Sequence, residues 1–400
     1  MKNSFSDDPN KADTSKPRTL IFSQRNLTRI QPYRCAHFEF EDVIAQIENS
    51  AFLAPKIDLP QWHYPLARQL AYHTPIRLNP GVGRAEPISS EVDLFFAICG
   101  DPTDLLRINA LPNWRSRCRK AVCLIDEAWA REIPNYRNYF QMLKQFDLVV
   151  LYYSQSVDRA NEIIGEQKCM FLPPGVDAVR FCPYPDPPAR TIHVYSIGRR
   201  SAATHKSFLR MAEKDGTLYL HDSTSADRVL DPVEHRTLVS SIAKRSLYYI
   251  VNPGLIDRPD IRGDQIEIGN RYFEGAASGN ILLGERPRNG QFEKLFDWPD
   301  SLIDLPYDSP DAEDIVRELD RQPERQAMIQ KANIHQALLR HDWVYRWESI
   351  LRAVGLAPLP QIESRKKQLR HLADQVMGDD RQAWTMPAYV GRGSQMRLDH

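Results

Sequence analysis

The chain has 400 residues, too many for one ordinary hydrophobic core, so two domains are expected. Hydrophobic residues make up 42% and charged residues 26%, an ordinary globular composition that excludes wholesale disorder. Lysine plus arginine equals aspartate plus glutamate, at 52 each, so no global field draws the protein to nucleic acid or anionic lipid and any anion site must be local.

The first residues are polar without an apolar h-region, and no later run approaches the roughly 20 apolar residues of a membrane span. A cytoplasmic protein without an integral membrane segment is expected, with peripheral membrane contact left open. Six scattered cysteines lack the close pairing of a zinc site or the density of a disulfide scaffold, and read as reduced, buried small hydrophobes.

Short, nearly continuous apolar runs over 19–23, 92–99, 121–125, 148–153 and 169–172 predict buried parallel strands. Segments of helical period over 136–146 and 157–164 separate the last three, giving β-α-β alternation. A proline-rich passage over 183–188 forbids helix and central strand alike and marks a hinge. A second series follows: strand 192–197, helix 202–214, strand 217–221, helix 232–244, strand 247–251, helix 270–278 and strand 281–283. Helices over 311–320, 324–340, 344–354 and 365–377 complete the pattern. The organisation that follows is a disordered start over 1–17, an N-terminal domain over 18–175, a linker over 176–190, a C-terminal domain over 191–355, and a helix with a loose tail over 356–400. Gly81-Val-Gly83-Arg-Ala-Glu86 lacks a third glycine and fails as a dinucleotide fingerprint.

The segment from Asn270 to Glu285 carries the most chemistry. A short helix packed with Gly and Ala runs into a tight turn and an apolar strand, and small residues let another group approach closely. Glu274, beside a cleft, suits two ribose hydroxyls as charge-assisted hydrogen bonds of about 1.5–3 kcal/mol each. The bland alternative makes it a solvated helix residue, with Gly279 as a helix cap. Arg271, three residues earlier, either pairs with Glu274 along the helix or binds a pyrophosphate.

Ile197-Gly198-Arg199-Arg200-Ser201 joins a strand to a helix containing Lys206. A glycine turn at a helix N-terminus offers free N–H groups to a diphosphate, and Arg199, Arg200 and Lys206 would neutralise charge on the leaving group. The alternative is that these cations solvate a loop. Asn252, after the strand over 247–251, faces the same cleft. In the first domain Asp126, Glu127 and Trp129 end a strand where open α/β sheets bind ligands, and are acceptor candidates together with Gly100; Asp126 equally suits a helix cap. His73, His205 and His221 lie near predicted loops or strand ends, and none is assigned as a base. No Asp-x-Asp and no His/Cys/carboxylate spacing marks a metal site, so metal-independent chemistry without a bound cofactor is expected.

The segment around Glu274 resembles the donor-site segment of GT-B retaining glycosyltransferases, with Glu274 at the second glutamate of their E-x7-E pattern. The first would fall at Ile266, beside Glu267, which stands as a donor-site candidate. Arg-x-Phe-Glu before a small-residue turn is more similar to the CgeB-like branch of the glycosyltransferases group 1. Phe171-Leu-Pro-Pro-Gly-Val-Asp177 with Arg180-Phe181, and His341-Asp-Trp343-Val-Tyr-Arg346, resemble further segments in the family's order; together the matches cover about residues 90–355. The resemblance implies an α/β GT-B fold: two Rossmann-like doubly wound domains facing across a cleft, with C-terminal helices. It implies transfer of a hexosyl group, with retention, from a nucleoside-diphosphate sugar such as a UDP-sugar to a glycan, lipid-linked or small-molecule hydroxyl. The rivals are a sugar-nucleotide epimerase or phosphorylase-like enzyme, and a non-catalytic glycan-binding or assembly protein.

Overall fold

The computed structural model describes residues 16–27, 31–58, 60, 62–83, 91–222 and 229–378. The expected disordered start and the tail after Gly378 fall almost wholly outside these residues, as do Arg84, Ala85 and Glu86.

Two all-parallel sheets form the frame. The first contains β1 (Thr19–Phe22), β2 (Ser50–Leu53), β3 (Val92–Cys99), β4 (Cys118–Ile125), β5 (Leu148–Leu151) and β6 (Cys169–Phe171), in the order β2-β1-β3-β4-β5-β6. The second contains β7 (Ile192–Ser196), β8 (Tyr219–His221), β9 (Ser246–Val251), β10 (Ile281–Gly284) and β11 (Ile303–Asp304), in the order β11-β10-β9-β7-β8. The strand order reverses between β1 and β3 and again between β7 and β9, and the crevice at such a reversal is where open α/β sheets bind ligands.

Among the described residues ten helices reach eight residues or more: α1 (Arg34–Ile47), α2 (His63–His73), α3 (Val157–Ile164), α4 (Ala202–Asp215), α5 (Pro232–Lys244), α6 (Asn270–Ala277), α7 (Ala312–Asp320), α8 (Pro323–Arg340), α9 (Trp343–Ala353) and α10 (Pro360–Gly378). The second domain follows the expected elements to within a few residues. In the first, α1, β2 and α2 stand where no element was predicted. The helix expected over 136–146 is instead broken into single turns, Ile133–Tyr136, Arg137–Phe140 and Gln141–Gln145, the first and last of them 3-10. A three-residue repeat lines up Phe140, Leu143 and Phe146, all buried, on one side.

The C-terminal helices pack back on the first domain. Trp343 of α9 stacks on Phe40 of α1 with ring centroids 4.5 Å apart, and Trp347 donates to Glu48 at 3.2 Å. Arg365 of α10 pairs with Asp177 at 2.7 Å and Asp342 at 2.8 Å. The hinge segment is stitched to the start of α9 by Val176 N–H to the His341 carbonyl and Trp343 N–H to the Val176 carbonyl, each 3.1 Å. Two segments singled out in the sequence, 171–177 and 341–346, therefore meet in space.

The small residues of α6 serve this packing. A Cβ on Gly275 would lie 2.5 Å from Leu282 Cδ2 and 2.7 Å from Tyr249 Cδ1, so the group that approaches closely is the sheet beneath the helix. Gly275→Ala is expected to cost about 1–3 kcal/mol by overpacking, read as a lower melting temperature; an unchanged melting temperature would show that the helix can shift.

Candidate functional site

A cavity of 330 Å³ lies between the domains, at the carboxyl ends of β4, β7 and β9. Its second-domain wall is the turn after β7 (Gly198, Arg199), the turn after β9 (Asn252), the first half of α5 (His235, Arg236) and the N-terminus of α6 (Arg271, Glu274). Across from these stand Tyr33, Asp126 and Glu127 of the first domain.

Gly269 precedes α6 without a side-chain cap, so the helix directs its positive end at the cavity. Arg271 sits in that first turn. Its guanidinium donates to the Tyr249 hydroxyl at 3.3 Å and makes no ion pair among the described residues. Gly198 holds φ at +91°, an angle that favours glycine, and a Cβ there would stand 3.2 Å from Arg271 Nη2, which would have to give way by a few tenths of an ångström. Desolvation works against the charge on Arg271, but Tyr249 and Glu274 beside it more than offset this, so the guanidinium stays protonated.

Glu274 lines the same cavity but is not a free carboxylate. Only 3% exposed, it accepts from Arg236 Nη1 at 2.6 Å, while its second oxygen has only a long contact, 3.4 Å, with the Tyr249 hydroxyl. Burial pushes its pKa up, but Arg236 and Arg271 more than offset this and hold it below the ordinary glutamate value. Arg236 in turn donates to Glu39 of α1 at 2.8 and 3.2 Å, so the ion network crosses from one domain to the other. The intrahelical Arg271–Glu274 pair considered from sequence is replaced by this contact.

The other sequence candidates divide. Asn252 lines the cavity and its side-chain oxygen accepts from Glu285 N–H at 3.4 Å. Arg199 lines it too, half exposed and paired with Asp257 at 3.1 Å. Arg200 turns aside to Asp222. Lys206 lies outside the cavity wall on α4, because Ser201 starts that helix and fixes which face looks inward. The expected free N–H groups at this helix start are also absent from the site: the Ser201 hydroxyl accepts from Ala203 and Thr204 N–H.

Glu267 is a domain tie outside the cavity wall, accepting from the N–H groups of Gln155 at 3.2 Å and Ser154 at 3.3 Å in the first domain. Asp126 is held by His37 Nε2 at 2.8 Å, and Glu127 beside it is pushed up to about 7 by the crowding of the cleft and the neighbouring Asp126 and Asp101 charges. Trp129 is packed against Tyr153, 4.6 Å between ring centroids, behind the wall. Gly100 is covered by Arg34, whose Nη1 would lie 2.8 Å from a Cβ, and it lines neither this cavity nor the two neighbouring ones in the first domain.

Sequence reasoning missed Glu39, Arg236 and His235. His235 lines the cavity with its Nδ1 unpartnered, and burial together with Arg236 lowers its pKa. The i to i+1 pair His235-Arg236 at the start of a capped helix was the available signal. Among the described residues no group of three or more His, Cys, Asp or Glu is placed to hold a metal ion, and no helix is long and apolar enough to cross a membrane.

Two doubly wound parallel-sheet domains meeting at a shared cavity, the second with its strand-order reversal between β7 and β9 at that cavity, and with helices returning from the C-terminus, define a GT-B fold. Residues 222–352, which contain Arg236, Arg271 and Glu274, match the family model described as Glycosyl transferase-like. The fold is shared with Anabaena Alr3699/HepE in complex with UDP and glucose, at 12% identity and TM-score 0.50 over 85% of this chain and 100% of that one. It is shared with the alpha-glucosyltransferase AGT in complex with UDP, at 10% identity and TM-score 0.50 over 85% and 100%. The Candida albicans trehalose-6-phosphate phosphatase N-terminal domain is likewise similar, at 9% identity and TM-score 0.52 over 85% and 97%. No curated protein matches the chain.

The Glu267 tie has a pH signature. Burial raises its pKa to about 7 from the ordinary 4.5, so the fold penalises its charged form. Its contribution is fully present below 4.5 and is lost as pH rises through about 7. Glu267→Gln removes this titration, and in thermal melts the variant should gain on the parent between about pH 5 and about pH 8. A constant difference between the two proteins would refute the assignment.

Proposed function

We propose that the protein is a glycosyltransferase that moves a sugar from a nucleoside-diphosphate sugar, a UDP-sugar among the candidates, to a hydroxyl acceptor. The observation that carries this is Arg271: a cation without an ion-pair partner among the described residues, in the first turn of an uncapped helix, lining the cavity beside Gly198. A diphosphate there meets the helix dipole, the guanidinium and the Gly198 turn together. Two further observations support the nucleotide-sugar reading: residues 222–352 match a glycosyl transferase-like model, and AGT, which has the same fold, binds UDP.

In this reading Arg271 and Arg199 stabilise charge on the departing diphosphate, the electrostatic contribution usually largest in such transfers. Glu274 offers its less engaged oxygen to a donor hydroxyl, and Arg236 fixes the carboxylate that does so. The cations that serve the leaving group are the protein's own. The acceptor approaches from Tyr33, Asp126 and Glu127, and the likeness to retaining enzymes and to the CgeB-like branch supports retention of configuration.

Titration of purified protein with UDP and other nucleoside diphosphates tests the site. Arg271→Ala should weaken the bound nucleotide about tenfold or more, the worth of one charge-assisted contact, with the variant still folded by circular dichroism and its melting temperature lowered as Glu274 loses a neighbouring cation. Absence of any nucleotide binding by the parent protein would sink the proposal. Glu274→Gln is the better probe of the second role than Glu274→Ala, because truncation leaves Arg236 buried with one partner and is expected to cost about 3–5 kcal/mol of stability. The glutamine variant should lose turnover while remaining folded by circular dichroism; full turnover would remove Glu274 from the site.

A further inference from the structure

The interdomain cavity adjoins two others in the first domain, and together they trace the course of a groove. Tyr33 is shared between the interdomain cavity and a second cavity of 660 Å³ in the first domain, and that cavity shares Arg68 and Tyr136 with a third of 350 Å³. Tyrosines recur along the run: Tyr33 at the junction, Tyr64 and Tyr136 in the middle, and Tyr72 at the far end.

Cations interleave with these rings. Two guanidiniums approach Tyr64, with Arg107 4.8 Å and Arg68 5.6 Å from its ring centroid. Arg34 stands 5.4 Å from the Tyr33 centroid. Asp104 holds both Arg34, at 2.7 Å, and Arg107, at 2.6 Å, and Asp101 stands 3.6 Å from Arg34. Three guanidiniums thus meet two carboxylates, and the one left over belongs to Arg68, which is exposed and makes no ion pair among the described residues.

We propose that this groove binds the acceptor, and that the acceptor is an oligosaccharide carrying a negative charge, a carboxylate or a phosphate, at the unit that reaches Arg68. The assignment rests on the glycosyltransferase reading for the direction of the groove, since its near end opens at the nucleotide cavity. Aromatic faces spaced along a channel suit the apolar faces of successive sugar rings, as flat rings suit other stacked polymers. A planar guanidinium accepts a carboxylate or phosphate in two parallel bonds. Duplex DNA is disfavoured: its affinity depends on neutralising many phosphates, and here one cation is in excess in a chain of net charge +0.

Calorimetric titration of the full chain with a short oligogalacturonate, a short glycerol-phosphate oligomer, a neutral malto-oligosaccharide and a DNA duplex tests this, with UDP titrated in parallel. One of the two acidic oligomers should bind, the carboxylated or the phosphorylated arm naming the charge. Arg68→Ala should weaken it about tenfold, with the melting temperature and the UDP titration unchanged, and Arg68→Lys should recover part of the loss. Tyr64→Ala should weaken both acidic and neutral oligomers. Equal binding of the neutral oligomer, stronger binding of the duplex, no binding of either acidic oligomer, or indifference to Arg68→Ala would each overturn the proposal. Acidic oligomer bound without UDP binding would leave the groove standing and refute the transferase reading; the converse result would do the opposite.

Discussion

The arrangement turns on one buried carboxylate. Glu39, in the middle of α1, accepts from Arg236 Nε at 2.8 Å and Nη2 at 3.2 Å, from Trp343 Nε1 at 3.0 Å, and from Asp177 N–H at 2.9 Å. Those donors come from the second domain, the returning C-terminal helix and the hinge, so three distant parts of the chain are referenced to one point of the first domain. Arg236 then passes the constraint to Glu274 at the cavity wall. Removing one partner of such a buried network leaves an uncompensated charge, whereas replacing all of it by apolar groups is often neutral or stabilising. Its value to the protein therefore lies in position: the carboxylate at the cavity is held by the same contact that sets how the domains meet.

Much of the fold was legible because parallel strands buried on both faces leave unmistakable apolar runs, as in Val92–Cys99 and Ser246–Val251. Helix α1 was not, for the same reason inverted. It is covered on nearly every side and carries Arg34, His37, Glu39 and Glu41 among its buried residues, so no polar face marks its period. The residue that organises the molecule thus sits in the element the pattern hides. The strand and helix after it, β2 and α2, are half exposed and flanked by prolines, which reads as loop.

The candidate site was legible where backbone chemistry dictates it and illegible where side-chain direction does. Gly198 and Arg271 could be found because a turn after a strand and an uncapped helix start are local properties. Lys206 and Arg200 fail because a cation's place in the sequence does not say which way a helix or loop turns it; Ser201 caps α4 and sends Lys206 outward, while Asp222 takes Arg200. Glu267 fails differently. It is close in sequence to the cavity and buried, yet besides Gln265 of its own segment its partners are the Ser154 and Gln155 N–H groups of the opposite domain, information that exists only after folding.

Glu39 and Glu267 are two polar ties across the domain boundary, and they differ in kind. The first joins opposite charges at 2.6 to 2.8 Å through Arg236, with all partners buried. The second sets one carboxylate, steadied within its own domain by Gln265 at 2.8 Å, against neutral N–H donors of the other domain at 3.2 and 3.3 Å, with a pKa that burial has raised to about 7. Charge-assisted pairs are shorter and roughly twice as strong as bonds between neutral groups, and removing a member of a buried ion network costs more than losing a long hydrogen bond. A relative movement of the domains would therefore keep the Glu39–Arg236 contact as its pivot and yield first at Glu267. Such a motion would change the distance between the Asp126–Glu127 wall and the Arg271 wall while leaving Arg236 and Glu274 in register.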